Sequence, residues 1–170
     1  MEFLNLEFYQ ICLRLTVALL LGGFLGFERS VAGKSAGPRT YGLVSTGSAL
    51  FIIITHLLSS AYIGTFQGYD PLRVLAAIIL GVGFLGAGLI FVREGKAQRE
   101  QVAGLTTAAG LWVVTGIGMA TGLGYFKLAV FSTLLIFLAF TSLWIIEEKI
   151  RKKVPNIYKI EKEIETENSE

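Results

Sequence analysis

Five apolar stretches follow one another along this chain, separated by short polar segments. A helix of roughly 20 apolar residues crosses the hydrocarbon core of a bilayer, where the backbone must satisfy its own hydrogen bonds. The pattern predicts an all-α polytopic membrane protein with about five transmembrane helices in residues 1–146, followed by a short tail, basic and then acidic, in residues 147–170. The predicted helices are Phe8–Phe27, Tyr41–Ile63, Leu72–Val92, Val102–Thr121 and Gly124–Ile146.

The first and third stretches resemble each other. Leu13-Arg14-x-x-x-Ala18-x-x-Leu21-Gly22 recurs as Leu72-Arg73-x-x-x-Ala77-x-x-Leu80-Gly81, and the four residues Gly-Phe-Leu-Gly follow in both. Such repeats are common in transporters, although duplication can also serve assembly alone. The sequence therefore predicts two similar halves, helices 1–2 and helices 3–4, with helix 5 as an unpaired addition.

The composition fits this class and adds a prediction about packing. Hydrophobic residues make up 53% of the chain, the mean hydropathy is +0.62, and 20 of 170 residues are glycine. Small residues allow helix backbones to approach closely in membranes. We therefore expect helix packing at Gly22, Gly26, Gly81, Gly83, Gly86 and Gly88.

Basic residues cluster in alternate connecting segments. They follow helices 1, 3 and 5, whereas the other side has Lys127 in its last loop and two arginines near helix ends. Cytoplasmic segments of membrane proteins are enriched in Lys and Arg. This predicts an outside N-terminus, a cytoplasmic C-terminus and a repeat whose halves run in the same direction. The residues concerned are Arg29, Lys34, Arg39, Arg93, Lys96, Arg99, Lys149, Arg151, Lys152 and Lys153.

Arg14 and Arg73 occupy matching positions within apolar stretches. Charges in spans are costly, so each requires an explanation. One interpretation is that both side chains reach to the outer interface. The other is that both face a central cleft, paired with Asp70 or with helix carbonyls. Asp70 is also a candidate N-cap for helix 3, with Pro71 in its first turn.

A second group of polar residues lies at the opposite helix ends. Glu28 and Arg39 are either ordinary interface charges or an ion pair that closes the cytoplasmic mouth of a cleft. Thr106 and Thr107 either bond to the helix backbone or offer hydroxyls to an ion and its water. No catalytic constellation, metal-ligand spacing or phosphate loop accompanies these residues, so we expect no enzyme activity and no cofactor.

Several ordered motifs resemble the MgtC/SapB family of bacterial membrane proteins. They are Arg14-Leu-x-x-Ala18, Gly22-x-x-x-Gly26-x-Glu28-Arg29, Ala36-Gly-x-Arg39-Thr40, Asp70-Pro-x-Arg73, Gly83-Phe-Leu-Gly-Ala-Gly88 and Gly104-Leu-Thr-Thr-Ala-Ala-x-x-Trp112. The resemblance implies an inner-membrane protein associated with growth at low magnesium, and it extends over about residues 8–146. The resemblance implies functional roles for the residues that match these motifs. They are Arg14, Glu28, Arg29, Arg39, Asp70, Arg73, Thr106, Thr107 and Trp112.

The resemblance leaves two mechanisms open. In the first, the helices bind and modulate another membrane complex, as some family members are thought to do with ATP synthase. In the second, the chain is a small oligomeric transporter or channel for magnesium or another ion. Acidic residues are nearly missing from the spans, which weakens a simple magnesium carrier because a dehydrated divalent cation needs several oxygen ligands. The expected partners are the lipid bilayer, another membrane complex and further copies of the chain, without nucleic acid.

Overall fold

The computed structural model describes residues 8–61, 70–94 and 100–153. Five α-helices dominate these residues and confirm the predicted all-α class. They are α1 (Phe8–Val31), α2 (Pro38–Ala61), α3 (Pro71–Ala87), α4 (Leu105–Gly122) and α5 (Phe126–Lys153). Two short strands, β1 (Phe91–Glu94) and β2 (Glu100–Ala103), separate α3 from α4.

Three helices are long and apolar enough to cross a membrane in the described part of the chain: Phe8–Val31, Pro38–Ser59 and Leu105–Gly122. The apolar helices Leu72–Ala87 and Phe126–Ser142 are shorter. At a rise of about 1.5 Å per residue, α3 is roughly 26 Å long, slightly less than a typical hydrocarbon core.

The start of α3 confirms the predicted cap. The Leu72 backbone N–H donates to Asp70 Oδ1 at 2.9 Å, and Pro71 occupies the first turn. A carboxylate in this place satisfies a backbone donor that the helix itself leaves unpaired. Asp70 thus acts locally, at the end of its own helix.

The end of α3 corrects the prediction that this helix continues to Val92. The helix stops at Ala87, and Phe91–Glu94 instead pairs antiparallel with Glu100–Ala103, with Phe91 opposite Ala103. Gly104 follows the hairpin with φ of +89° and lies against the Leu89 carbonyl oxygen. A side chain there would be strained and would collide with that carbonyl, so glycine closes the hairpin onto α4.

The core forms where α1, α2 and α4 meet through their backbones. A methyl group added at Gly22 would lie 2.6 Å from the Tyr41 carbonyl oxygen, and one at Gly122 would lie 2.7 Å from the Ala49 carbonyl oxygen. A methyl group at Gly118 would collide with the Ser45 carbonyl oxygen. Small residues thus bring three helices into contact, as close packing in membranes requires.

These contacts also fix the helix directions. Gly22 and Gly26 of α1 approach α2 near Ser45 and Pro38, so α1 and α2 run antiparallel. Gly86 near the end of α3 approaches Ala108 near the start of α4, so these two helix ends are in contact. Since Ser45 and Ala49 meet Gly118 and Gly122 in the same order, α2 and α4 run in the same direction. The repeat is therefore parallel, as predicted.

The two halves differ in how their glycines are used. A methyl group at Gly26 would lie 2.6 Å from the Gly37 carbonyl oxygen, whereas one at Gly86 would reach the Ala108 side chain at an ordinary 3.5 Å. Gly81 and Gly83 face open space, and Gly88 lies beside the carbonyls of its own helix end. The expected close approach to a neighbouring helix is thus absent at these last three positions, because α3 packs less closely than α1.

The chain divides into two compact units, and the boundary falls inside α5, after Leu134. The first unit contains α1 to α4, the hairpin and the first part of α5. The second unit begins at Leu135 and includes the rest of α5, which continues to Lys153. Helix therefore extends past the predicted boundary at Ile146, and the remainder of the predicted tail lies outside the described residues.

Candidate functional site

An ion pair lies at the end of α1. Arg29 Nε donates to Glu28 Oε2 at 2.6 Å, and Arg29 Nη2 donates to Glu28 Oε1 at 2.8 Å. The side chains are 3% and 14% exposed. A bidentate pair between a guanidinium and a carboxylate is among the strongest polar contacts in proteins, and burial protects it from water. The basic member also lies in the last turn of its helix, where the helix dipole favours a cation.

Tyr41 extends this polar region from α2 to α4. Its side chain is fully buried, and its hydroxyl donates to the Thr107 carbonyl oxygen at 3.3 Å. Thr107 lies in the first turn of α4 and is buried, whereas its neighbour Thr106 is exposed. The paired threonines therefore face in different directions and do not offer two hydroxyls to one ion. We call the group Glu28, Arg29, Tyr41 and Thr107 the Arg29 end of the bundle.

Arg39 does not belong to the Arg29 end. One of the two interpretations of the sequence had paired it with Glu28. Its side chain is exposed at the start of α2, and the Glu28 carboxylate is occupied by Arg29 instead. The ion pair expected across the mouth of a cleft is thus replaced by a pair between neighbours on one helix.

Arg14 lies at the opposite end of α1 and contacts α4. Its Nη1 atom donates to the Gly122 carbonyl oxygen at 2.6 Å, a carbonyl in the last turn of that helix. Gly124 has a φ of +86°, and a methyl group there would lie 2.9 Å from Arg14 Nη2. The guanidinium therefore stabilises a helix end that carries partial negative charge, and Gly124 leaves room for it.

Arg73 differs from Arg14 despite the matching repeat position. Its side chain is exposed in the first turn of α3, and its backbone N–H donates to the Asp70 carbonyl oxygen at 3.1 Å. Asp70 is exposed and caps α3. In the described part of the chain, Arg73 forms no ion pair with Asp70.

The predicted site residues thus separate into two groups at opposite ends of the bundle. Arg14 and Arg29 are 15 positions apart on α1, about 22 Å along a helix. Between these levels, Gly22 and Gly118 contact Ser45 from two sides, so the predicted cleft is closed there. Trp112 lies between the ends of α4 and is 56% exposed, away from both groups.

Sequence reasoning missed Tyr41 and Ser45. Ser45 is fully buried at the contact of three helices, and its hydroxyl lacks a hydrogen-bond partner within the described structure. A tyrosine followed four residues later by a serine is a weak signal, because both residue types are common near helix ends. Among the described residues, no three His, Cys, Asp or Glu side chains are grouped closely enough to hold a metal ion.

Apolar helices of membrane-spanning length, packed through glycines, define a polytopic α-helical membrane protein. The chain belongs to the MgtC family, whose sequence model matches residues 15–149. No solved structure gives a significant match.

Several bacterial relatives are similar over part of their length. YhiD of Escherichia coli K12, named a "Putative magnesium transporter", is 40% identical over 104 residues, which are 58% of this chain and 44% of the relative. SrpB of Synechococcus elongatus is 39% identical over 60% of this chain and 57% of its own length. MgtC of Brucella abortus is 45% identical over 54% of this chain and 33% of its own length. The part of this chain that matches thus covers between one third and somewhat over half of the length of these relatives.

Proposed function

We propose that this chain serves magnesium homeostasis in a bacterial inner membrane by modulating another membrane complex, such as ATP synthase. Membership of the MgtC family and the magnesium-related name of the Escherichia coli relative support the link to magnesium. Its bilayer-facing surface supports a role in contacts within the membrane, since large apolar side chains are exposed on several helices. The proposed partner complex would meet the chain in the bilayer.

The observation that supports modulation most directly is the closed centre of the bundle. Ser45 lies between Gly22 and Gly118 at backbone contact distances, and the Arg14 guanidinium is already bonded to Gly122. An ion passing between α1, α2 and α4 would have to separate these helices at their tightest contact. A chain that acts through its outer surface needs no such opening.

Purified chain in liposomes and in mild detergent would test this proposal. We expect magnesium flux at the level of protein-free liposomes, together with a membrane complex that co-purifies from native membranes. The rival is a small oligomeric transporter or channel, which the name of the Escherichia coli relative favours. Flux that rises in proportion to incorporated protein would establish the rival and overturn modulation.

We also propose that the Arg29 end faces the cytoplasm. The opposite end of the bundle, where Arg14 contacts Gly122, then faces outward. Exposed Lys34 lies between α1 and α2, and exposed Arg39 begins α2, whereas exposed Lys127 begins α5 at the other end. More positive charge lies on the first side, as cytoplasmic segments require. In this orientation the N-terminus is outside and the C-terminus is cytoplasmic.

Two single-cysteine variants make a matched test of orientation. In a Cys12→Ser background, Lys34→Cys should resist an impermeant thiol reagent in intact cells, whereas Lys127→Cys should react. After the cells are opened, both should be labelled, which controls for accessibility. Labelling of Lys34→Cys from outside, with protection of Lys127→Cys, would reverse the proposed orientation.

A further inference from the structure

An apolar groove runs along the outside of the bundle between α2 and α3. Its volume is about 520 Å³. Gly47 of α2 and Gly81 of α3 lie in it, and a methyl group on either would meet no atom within 4 Å. Ser48 is the one hydroxyl in its lining, and this hydroxyl donates to the Val44 carbonyl oxygen at 2.7 Å. The groove therefore offers hydrocarbon surface with its polar atoms already satisfied.

The length of the groove matches one leaflet of a bilayer. Along α3 its lining extends from Val74 to Leu85, a distance of about 16 Å at the helical rise per residue. Half of a hydrocarbon core is about 15 Å thick. A chain lying in the groove would thus reach from the interface to the middle of the membrane.

The chemistry of the groove suits a hydrocarbon occupant. Ten of its eleven lining residues are apolar or glycine, and the groove is open along its outer side. An acyl chain makes carbon contacts at about 4 Å and needs no hydrogen-bond partner, so it can lie along this surface.

Arg73 lies at one end of the groove. It precedes Val74, the first lining residue of α3, and its side chain is exposed. Asp70 is also charged and precedes α3, and its Oδ1 atom accepts the Leu72 N–H. A guanidinium binds phosphate through several donors at once, so Arg73 suits a phosphate at the level of the membrane interface.

We propose that the groove between α2 and α3 binds an anionic phospholipid, with one acyl chain in the groove and its phosphate on Arg73. This site is separate from the Arg29 end and independent of the proposed role in magnesium homeostasis. The lipid would fill the gap that remains because Gly47 and Gly81 have no side chains.

Native mass spectrometry of the purified full chain, titrated with phosphatidylglycerol or phosphatidylcholine of equal chain length, tests the proposal. Gly81→Leu fills the groove and should weaken phosphatidylglycerol binding about tenfold, the size of a typical overpacking cost. Gly83→Leu is the matched control, because Gly83 lies on the same helix in open space but outside the groove lining. It should bind like wild type. Arg73→Gln should reduce the preference for phosphatidylglycerol about fivefold.

Three outcomes would overturn the proposal. The first is equal lipid binding by the Gly81→Leu and Gly83→Leu variants. The second is a wild type that does not prefer phosphatidylglycerol. The third is a Gly81→Leu variant that changes only the oligomeric state, which would assign the groove to a second copy of the chain. Gly47→Leu, which fills the groove from α2, should repeat the loss seen with Gly81→Leu, and its failure to do so would also count against the site.

Discussion

A Gly118→Ala variant is expected to lose about 3 kcal/mol of unfolding free energy, at the upper end of ordinary overpacking costs. The added methyl group would collide with the Ser45 carbonyl oxygen and lie 2.8 Å from the carbonyl carbon. Both atoms belong to the backbone of α2, so no side chain can rotate away. The helices must separate, which also disturbs the contact between Ser45 and Gly22. Unfolding in mixed micelles of rising dodecyl sulfate content, followed by tryptophan fluorescence, measures the loss.

Gly116→Ala is the matched control, two residues away on the same helix. Gly116 is exposed, and a methyl group there would meet no atom within 4 Å. Alanine is favoured over glycine in a helix by up to about 1 kcal/mol, so this variant should be as stable as wild type or slightly more stable. Equal stability of the two variants would show that α2 and α4 do not approach each other as closely as described.

The helices and their directions could be predicted because membrane insertion imposes a simple rule. Apolar length was sufficient for five helices, and alternating spans make a two-helix repeat parallel. The cap of α3 was also predictable, since Asp70 and Pro71 act on the turn in which they occur. These features depend on residues that are close together in the sequence, so the sequence alone is sufficient to predict them.

The hairpin could not be predicted from hydropathy. Phe91 and Val92 continue an apolar stretch, and nothing in their polarity marks the end of α3. The helix ends near Gly88, and Gly104 adopts a left-handed conformation against Leu89. This contact joins residues 15 positions apart, so it depends on tertiary structure and not on the periodicity of one segment.

The arginines show why a repeat in sequence does not guarantee a repeat in contacts. Arg14 reaches Gly122 because α4 ends beside the start of α1 and Gly124 leaves space for the guanidinium. Arg73 lies on the more loosely packed α3 and stays exposed. Equal positions in two halves thus acquire different neighbours once four helices pack with unequal spacing.

The partner of Glu28 was missed for a related reason. Adjacent residues on a helix do not normally face each other, so the sequence gives little reason to pair Glu28 with Arg29. Arg29 is long enough to fold back along the last turn of α1 and bind both carboxylate oxygens. Burial then makes this local pair more important for stability than a surface pair.

Replacing Arg29 with alanine is expected to lower the unfolding free energy by about 3 kcal/mol, because it leaves the carboxylate of Glu28 without its partner in a largely buried place. The Glu28 side chain is only 14% exposed, so water can compensate only in part. Removing both charges should be less harmful than removing one. The double variant Glu28→Gln with Arg29→Met should therefore recover at least half of the loss, and the same micelle titration measures it.

Arg39→Ala is the control for loss of a basic residue at this end. Its side chain is exposed, so the variant should differ from wild type by no more than about 0.5 kcal/mol. A double-mutant cycle over Glu28 and Arg29 then isolates their coupling, which for a contacting pair reaches about 0.5–3 kcal/mol. A coupling near zero would contradict the ion pair between Glu28 and Arg29. A loss of stability in Arg39→Ala as large as that in Arg29→Ala would favour an ion pair between Glu28 and Arg39 instead.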